Sequence, residues 1–240
     1  MEENLATKLL QRAVDLEHNN RLTEALVCYQ ESLEIYINQL KLCNEEGAKK
    51  VALRKCVSSY MDKAEKLKSL IEAKKEAGKY HEQIFIKDNS IGYSYESLFG
   101  RFIDETVTWV NIQDPYIRSD YQIFNFLRFC ELVYKKSNHN IKTITLNTSR
   151  NEEMSSNHQN NLLKLKSNLE SSNVELVITF SDKIHDREIS LENGWIIKIG
   201  RGLDYFKSIA KFHIGYCDYD LRPCFETTVN IFNKKSVKNL

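Results

Sequence analysis

The chain has 240 residues, of which 42% are apolar and 28% charged, with a net charge of +1; that excludes a disordered chain and one drawn to nucleic acid by overall charge. Residues 1–80 hold 14 Lys/Arg against 13 Asp/Glu, leaving 20 against 20 beyond, so any charged surface must be local. No apolar run approaches the roughly 20 residues of a membrane span, so membrane contact is expected to be peripheral.

Six cysteines, Cys28, Cys43, Cys56, Cys130, Cys217 and Cys224, form no CxxC pair, and no His stands at ligand spacing to them. With no signal peptide at the N-terminus they read as reduced thiols of a cytosolic protein, and neither a metal site nor a cofactor is expected.

Residues 4 to 77 contain no Pro and one Gly, with apolar residues at helical spacing. The first helix is expected from about Asn4 to Glu17, burying Leu5, Leu9, Ala13 and Leu16, and broken by His18-Asn19-Asn20. The second runs from about Leu22 to Leu42 with the stripe Leu22, Leu26, Tyr29, Leu33, Tyr36 and Leu40. After a turn at Asn44–Gly47, a long third helix over about Ala48–Ala77 carries the seam Leu53, Val57, Tyr60, Ala64, Leu67 and Ile71. Short connections make neighbours antiparallel, hence a three-helix bundle. Met61 sits one position off the seam, on a stripe otherwise made of Arg54, Ser58, Glu65 and Lys68, next to Asp62. It reads either as a shoulder residue partly covered by its own bundle or as an adaptable apolar spot in a groove for a guest helix.

Gly78 is the expected C-cap of the third helix, and the chain divides into a bundle over 1–78 and a second domain over 82–240. There the periods change. Strands are expected over Gln83–Lys87, Val107–Ile112, Ile141–Leu146 and Val174–Thr179, and helices over Tyr95–Glu105, Tyr121–Lys135 and about Glu152–Ser171. Strands alternating with helices imply a layered α/β domain with a largely parallel sheet. The type of the element over about Phe225–Phe232 is left open.

The run Ile184–Phe206, IHDREISLENGWIIKIGRGLDYF, alternates to Asn193-Gly194 and then turns apolar from Trp195 to Ile199, which signals a β-hairpin. A two-residue turn pairs Glu192 with Trp195, Ile189 with Lys198 and Arg187 with Gly200, placing His185, Arg187 and Lys198 on one sheet face with Arg201 just beyond. These charges are either solvated on a surface hairpin or gathered for a phosphate. Sites in such sheets lie at strand ends. Arg118 follows the Val107–Ile112 strand through Asp114-Pro115-Tyr116, and Arg222 follows the compact Cys217–Leu221. Each of these two is either structural, Asp114-Pro115 being a turn former and Arg222 a partner for Asp218 or Asp220, or part of a convergent site.

Arg21–Tyr36, RLTEALVCYQESLEIY, and Tyr60–Lys68, YMDKAEKLK, resemble an MIT domain, the microtubule-interacting and trafficking module. EALxxYxxxL also fits a tetratricopeptide repeat, but no second copy occurs at a period of about 34 residues. The resemblance implies that a groove between the second and third helices binds C-terminal helices of ESCRT-III subunits. Met61 is then the central apolar residue, Asp62 and Glu65 its acidic companions, and Ser58 and Lys68 its neighbours on the stripe.

SYESLF, QDPYIRSDYQIFNFLRFCE, the hairpin run and CDYDLRPCFETTV together resemble a family of MIT-domain proteins of cytokinetic abscission. That likeness implies a phospholipase-D-like second domain, a homodimer and binding to acidic phospholipid, phosphoinositides included, on a cytoplasmic protein peripheral to endosomal membrane and midbody. Phospholipase D enzymes use H-x-K-x4-D twice, one His attacking phosphorus and the other protonating the leaving group. His185, Arg187 and Glu192 take the three positions once, with Arg for Lys and Glu for Asp, and neither His158 nor His213 starts a second copy. The expectation is a degenerate site without chemistry that holds phosphate through His185, Arg187, Lys198, Arg201, Arg118, Lys207 and Arg222. The alternative is a phosphodiesterase, on lipid or nucleic acid, that uses His185 from two subunits. For the adaptor, nucleic acid is not an expected partner.

Overall fold

The computed structural model describes residues 2–42, 47–77, 80–149, 156–181 and 183–234. The expected turn residues Asn44–Glu46, the Gly78 cap, Cys43, residues 152–155 of the last expected helix, and the basic Lys235 and Lys238 lie outside them. The chain forms two compact units divided between Glu82 and Gln83.

The first unit is the three-helix bundle, with α1 over Glu2–His18, α2 over Leu22–Leu42 and α3 over Ala48–Glu76. α2 packs against both neighbours. The seam of α3 buries Val57, Ala64, Leu67 and Ile71. On α1 the buried stripe is Ala6, Leu10, Ala13 and Leu16: Ala13 and Leu16 are buried as expected, while Ala6 and Leu10 take the places expected of Leu5, which is exposed, and Leu9. A small residue decides it: at Ala6 the helices approach closely enough for the buried Ser32 hydroxyl of α2 to donate to the Ala6 carbonyl at 2.9 Å. Tyr29 is wholly buried, stacks on Tyr60 at 6.1 Å and donates to Glu17 at 2.9 Å.

The second unit is a seven-stranded mixed sheet in the order β1-β7-β6-β5-β2-β3-β4. Its strands are β1 His81–Ile86, β2 Trp109–Gln113, β3 Thr143–Thr148, β4 Glu175–Phe180, β5 Glu188–Leu191, β6 Trp195–Ile199 and β7 Thr227–Asn233. β2, β3 and β4 run parallel, joined by the crossover helices α5 (Asp120–Lys136) and α6 (Ser156–Ser171). The β5-β6-β7 meander is antiparallel and joins β2 antiparallel through β5, so the expectation of a largely parallel sheet holds for β2, β3 and β4 and not for the meander. The element left open near Phe225–Phe232 is β7.

The expected helix from Tyr95 stops at Phe99: Ser94 caps α4 (Tyr95–Phe99), and from Gly100 the chain tightens into a 3-10 turn that delivers Phe102 against Trp195 at 4.6 Å. Ser119 and Gln122 form a capping box at the start of α5.

One apolar row crosses the sheet: Leu146, Ile112, Ile189, Ile197 and Ile231 stand opposite one another on β3, β2, β5, β6 and β7, each at most 2% exposed. Truncating any of them to Ala costs about 2–5 kcal/mol. Side chains alternate along a strand, so the next layer on this face holds Asp114 two residues after Ile112 and Arg187 two residues before Ile189. That layer begins the site.

Candidate functional site

β2 ends at Gln113, and Asp114 continues its ladder by one bond, its N–H donating to the Asn147 carbonyl at 2.9 Å. The Asp114 carboxylate is 2% exposed. It turns the chain by accepting the Tyr116 N–H at 3.0 Å, and it accepts the Leu203 N–H at 3.1 Å. Burial pushes its pKa up, with those two N–H groups and the Arg187 guanidinium acting in the opposite direction. The carboxylate fills the space that a side chain at Gly202 would need: Gly202 has φ +62°, and a Cβ there would stand 2.1 Å from Oδ2.

Tyr116 is the platform. Its half-exposed ring has the Arg187 guanidinium carbon 4.3 Å and that of Arg118 5.0 Å from its centroid. Arg118 is oriented by the Pro115 carbonyl at 3.1 Å and the Ser149 hydroxyl at 2.7 Å. Arg187 donates through Nη1 to the Gly200 carbonyl, and its buried Nε has no protein acceptor. Arg201 is exposed, stacks on Phe225 at 4.5 Å and donates to the Glu226 carbonyl at 3.3 Å. Tyr116, Arg187 and Arg201 open onto a cleft of about 470 Å³ that Gln122, Gly200 and Asp204 also line; Arg118 is not in that lining and adjoins it through the Tyr116 ring. Asp204 is the lining carboxylate, and it accepts from Gln122 at 3.1 Å and Asn125 at 3.2 Å. Planar guanidiniums with directions to spare beside an aromatic face suit a phosphate oxygen. Among the described residues no His/Cys/Asp/Glu cluster could hold a metal ion.

Arg118, Arg187 and Arg201 are thus brought together, and the other expected ligands are not. The hairpin loop has three residues, Glu192–Gly194, with Gly194 at φ +89°, and Glu188 stands opposite Lys198. This one-residue shift from the expected register turns Lys198 to the other face, where it pairs with Glu188 at 3.4 Å and Asp186 at 3.6 Å. His185 is exposed and outside the cleft lining. Glu192 lies at the opposite end of β5, where it accepts the Thr108 N–H and hydroxyl, both at 2.6 Å; the hydroxyl first, then the amide, pull its pKa down. It is in no position to orient His185. Lys207 pairs with Asp88 at 2.8 Å and contacts Asn89 at 2.8 Å.

Arg222 is 3% exposed and donates to Gly215 O at 2.8 Å, Tyr216 O at 2.6 Å and Tyr219 Oη at 2.5 Å, so it organises its own loop. Sequence reasoning missed Tyr116, Gln122, Ser149 and Asp204 as members of the site. The usable signal was Asp114-Pro115-Tyr116 directly after a strand.

In the bundle, Met61 is 44% exposed, and Ser58, Asp62, Glu65 and Lys68 around it are exposed too. At about 100° per residue this stripe flanks the buried seam on one shoulder. Lys63, on the other shoulder, reaches Glu17 of α1 at 3.1 Å, so the Met61 stripe faces away from that contact.

A family model described as a phospholipase D-like domain at the C-terminus of MIT matches residues 92–233, and one described as the MIT (microtubule interacting and transport) domain matches residues 4–69. The chain is 49% identical over 237 residues to MIT domain-containing protein 1 of Mus musculus, covering 98% of this chain and 94% of that protein. It therefore belongs to the family of proteins that join an N-terminal MIT domain to a C-terminal phospholipase D-like domain.

Proposed function

We propose that the protein is a non-catalytic adaptor. Its MIT bundle takes C-terminal helices of ESCRT-III subunits on the Met61 stripe, and its phospholipase-D-like domain holds the phosphate of acidic lipids, phosphoinositides included, in the Arg187–Arg201 cleft, with Arg118 beside it on the Tyr116 ring. The observation that carries this reading is a division of labour along β5. The residues suited to bind phosphate gather at one end, while His185 stands outside the cleft and Glu192 hydrogen-bonds Thr108 at the other end. General acid–base work needs those groups in mutual reach. The bundle side is supported by an exposed Met flanked by Asp62 and Glu65, a surface suited to an amphipathic helix carrying a basic residue. Acting as a homodimer in cytokinetic abscission, peripheral to endosomal membrane and midbody, the protein would gain avidity from two weak contacts per chain.

The test uses the full chain with fluorescent ESCRT-III tail helices, anionic vesicles over a salt series, and labelled phosphodiesters. Met61→Asp is expected to abolish peptide binding and spare vesicle binding; Arg201→Gln with Arg118→Gln is expected to do the reverse. Phosphodiester turnover should not exceed that of His185→Ala. Turnover that vanishes in His185→Ala would make the cleft an enzyme's.

A further inference from the structure

The chain leaves the core after the buried Phe206 and returns at Cys224, closed by a bridge between these two residues and by the Lys207 N–H on the Pro223 carbonyl at 2.9 Å. The segment between them carries the barest large apolar side chains of the described residues: Phe212 is fully exposed and Ile214 is 83% exposed. A folded protein does not gain from baring Phe and Ile side by side on one tip.

The tip is also held. Phe212 has φ +67°, and the turn is closed by the His213 N–H on Ala210 O at 3.3 Å and the Tyr216 N–H on His213 O at 3.1 Å. Below it, Gly215 at φ +90° lies so close to Leu221 that a Cβ would meet its carbonyl oxygen at 2.7 Å, and Arg222 ties Gly215, Tyr216 and Tyr219 together. From Ser208 to Cys217 the ionisable side chains are Lys211, His213, Tyr216 and Cys217, with no carboxylate.

The loop rises from the rim of the cleft. The Phe225 ring has Arg201 at 4.5 Å and the loop-base Lys207 at 5.2 Å, and Tyr121, next to the cleft residue Gln122, donates to the Phe206 carbonyl at 2.9 Å.

We propose that residues 208–214 form a membrane-insertion loop: Phe212 and Ile214 enter the headgroup–acyl boundary of an anionic bilayer, Lys211 stays at the level of the phosphates, and the cleft beside it takes its phosphate from a lipid headgroup. This rests on the phosphate reading of the cleft and adds the apolar anchor that holds the cleft at the bilayer surface. A bilayer is favoured over a second copy of the chain because a convex tip with two bare side chains offers far less than the roughly 1,000 Å² of a specific protein interface. It needs no complementary pocket, and the absence of carboxylates matches anionic headgroups.

The experiment uses the full chain and vesicles of phosphatidylcholine with or without phosphatidylserine and phosphatidylinositol 4,5-bisphosphate, some brominated along the acyl chains. Phe212→Trp, read against the parent as background for Trp109 and Trp195, should shift its emission to the blue and be quenched by the bromines on anionic vesicles only. The double variant Phe212→Ser, Ile214→Ser should lower vesicle partitioning on the order of 10- to 100-fold, while binding of soluble inositol hexakisphosphate is unchanged. An introduced indole that stays unquenched on vesicle-bound Phe212→Trp protein, or equal partitioning of the double variant, overturns insertion and leaves the cleft reading standing. Loss of a dimer in the double variant with no change in partitioning assigns the tip to self-association and overturns it as well. A parent chain that binds neither vesicles nor inositol hexakisphosphate sinks the cleft reading and insertion together.

Discussion

Arg222→Ala separates a ligand from a scaffold. The guanidinium makes one fully buried hydrogen bond, to Gly215 O, and two partly buried ones, to Tyr216 O and Tyr219 Oη, and its carbon lies 4.0 Å from the centroid of the Tyr219 ring. A bond from a charged donor contributes about 1.5–3 kcal/mol, the two that water can reach less, so truncation should cost roughly 3–4 kcal/mol once water re-solvates the freed carbonyls. Both tryptophans, Trp109 and Trp195, belong to the second unit, so Trp fluorescence during urea unfolding of the full chain follows that unit alone. Hydrogen exchange across residues 208–221 should accelerate by several orders of magnitude as the loop loses its anchor. Arg222→Lys, which keeps the charge without the planar fork, should lie between the two. A loss below about 1 kcal/mol with unchanged exchange, together with weakened vesicle binding, would refute the scaffold assignment and return Arg222 to the phosphate site.

Gly202→Ala forces a Cβ onto the Asp114 carboxylate at a left-handed backbone position, so urea unfolding should show a loss of about 2 kcal/mol or more; a normal midpoint would mean the turn is not built as described. Tyr116→Leu removes the ring shared by Arg118 and Arg187 and should weaken anionic-vesicle binding about fivefold with little change in stability, measured by co-sedimentation and urea unfolding. Thr108→Val removes the hydroxyl that chiefly depresses the pKa of Glu192. A depressed carboxylate contributes stability above its unfolded pKa and loses it as pH falls through the folded one. The pair is exposed to solvent, so the variant should cost at most roughly a few tenths of a kcal/mol at pH 7 and progressively less in acid, with the Glu192 titration moving up by NMR.

The fold was legible where one period ruled a long segment. α2 and α3 begin where the stripe and the turn signals put them, because an uninterrupted 3.6-residue pattern over 20 or more positions leaves few alternatives. β2, β3 and β4 sit one or two residues C-terminal of their expected bounds. The reason is common to them: Val107, Ile141 and Val174 are buried before their strands begin, so apolar character starts ahead of the ladder. α4 was read too long since Phe102 and Ile103 continue a helical spacing, whereas the 3-10 turn over Gly100–Phe102 packs Phe102 on Trp195 and the backbone becomes extended at Ile103. Such outcomes turn on tertiary packing, which overrides local spacing.

The site was half legible, and the half that failed depends on a single residue of register. Asn193-Gly194 signals a tight turn, but its type depends on how many residues the loop holds, and here Glu192 joins it: Gly194 takes the left-handed position, and the Asn193 side chain is held by the Phe102 carbonyl at 2.9 Å. A two-residue turn would have set Arg187 and Lys198 side by side on one face. The three-residue loop sets Lys198 among Asp186 and Glu188 on the other, and on β2, Asp114 takes the place opposite Arg187. A guanidinium flanked by Lys198 would bind phosphate by charge alone. One set against the buried Asp114 carboxylate and the Tyr116 ring, with its Nε lacking a protein acceptor, would bind by direction on the proposed reading. Glu192 follows β5 and His185 precedes it in either register, so the loop length decides only which side chains of β6 share the face of Arg187. On the proposed reading the turn thus sets how Arg187 would hold a phosphate, while the distance between His185 and Glu192 is set by the length of β5 that lies between them.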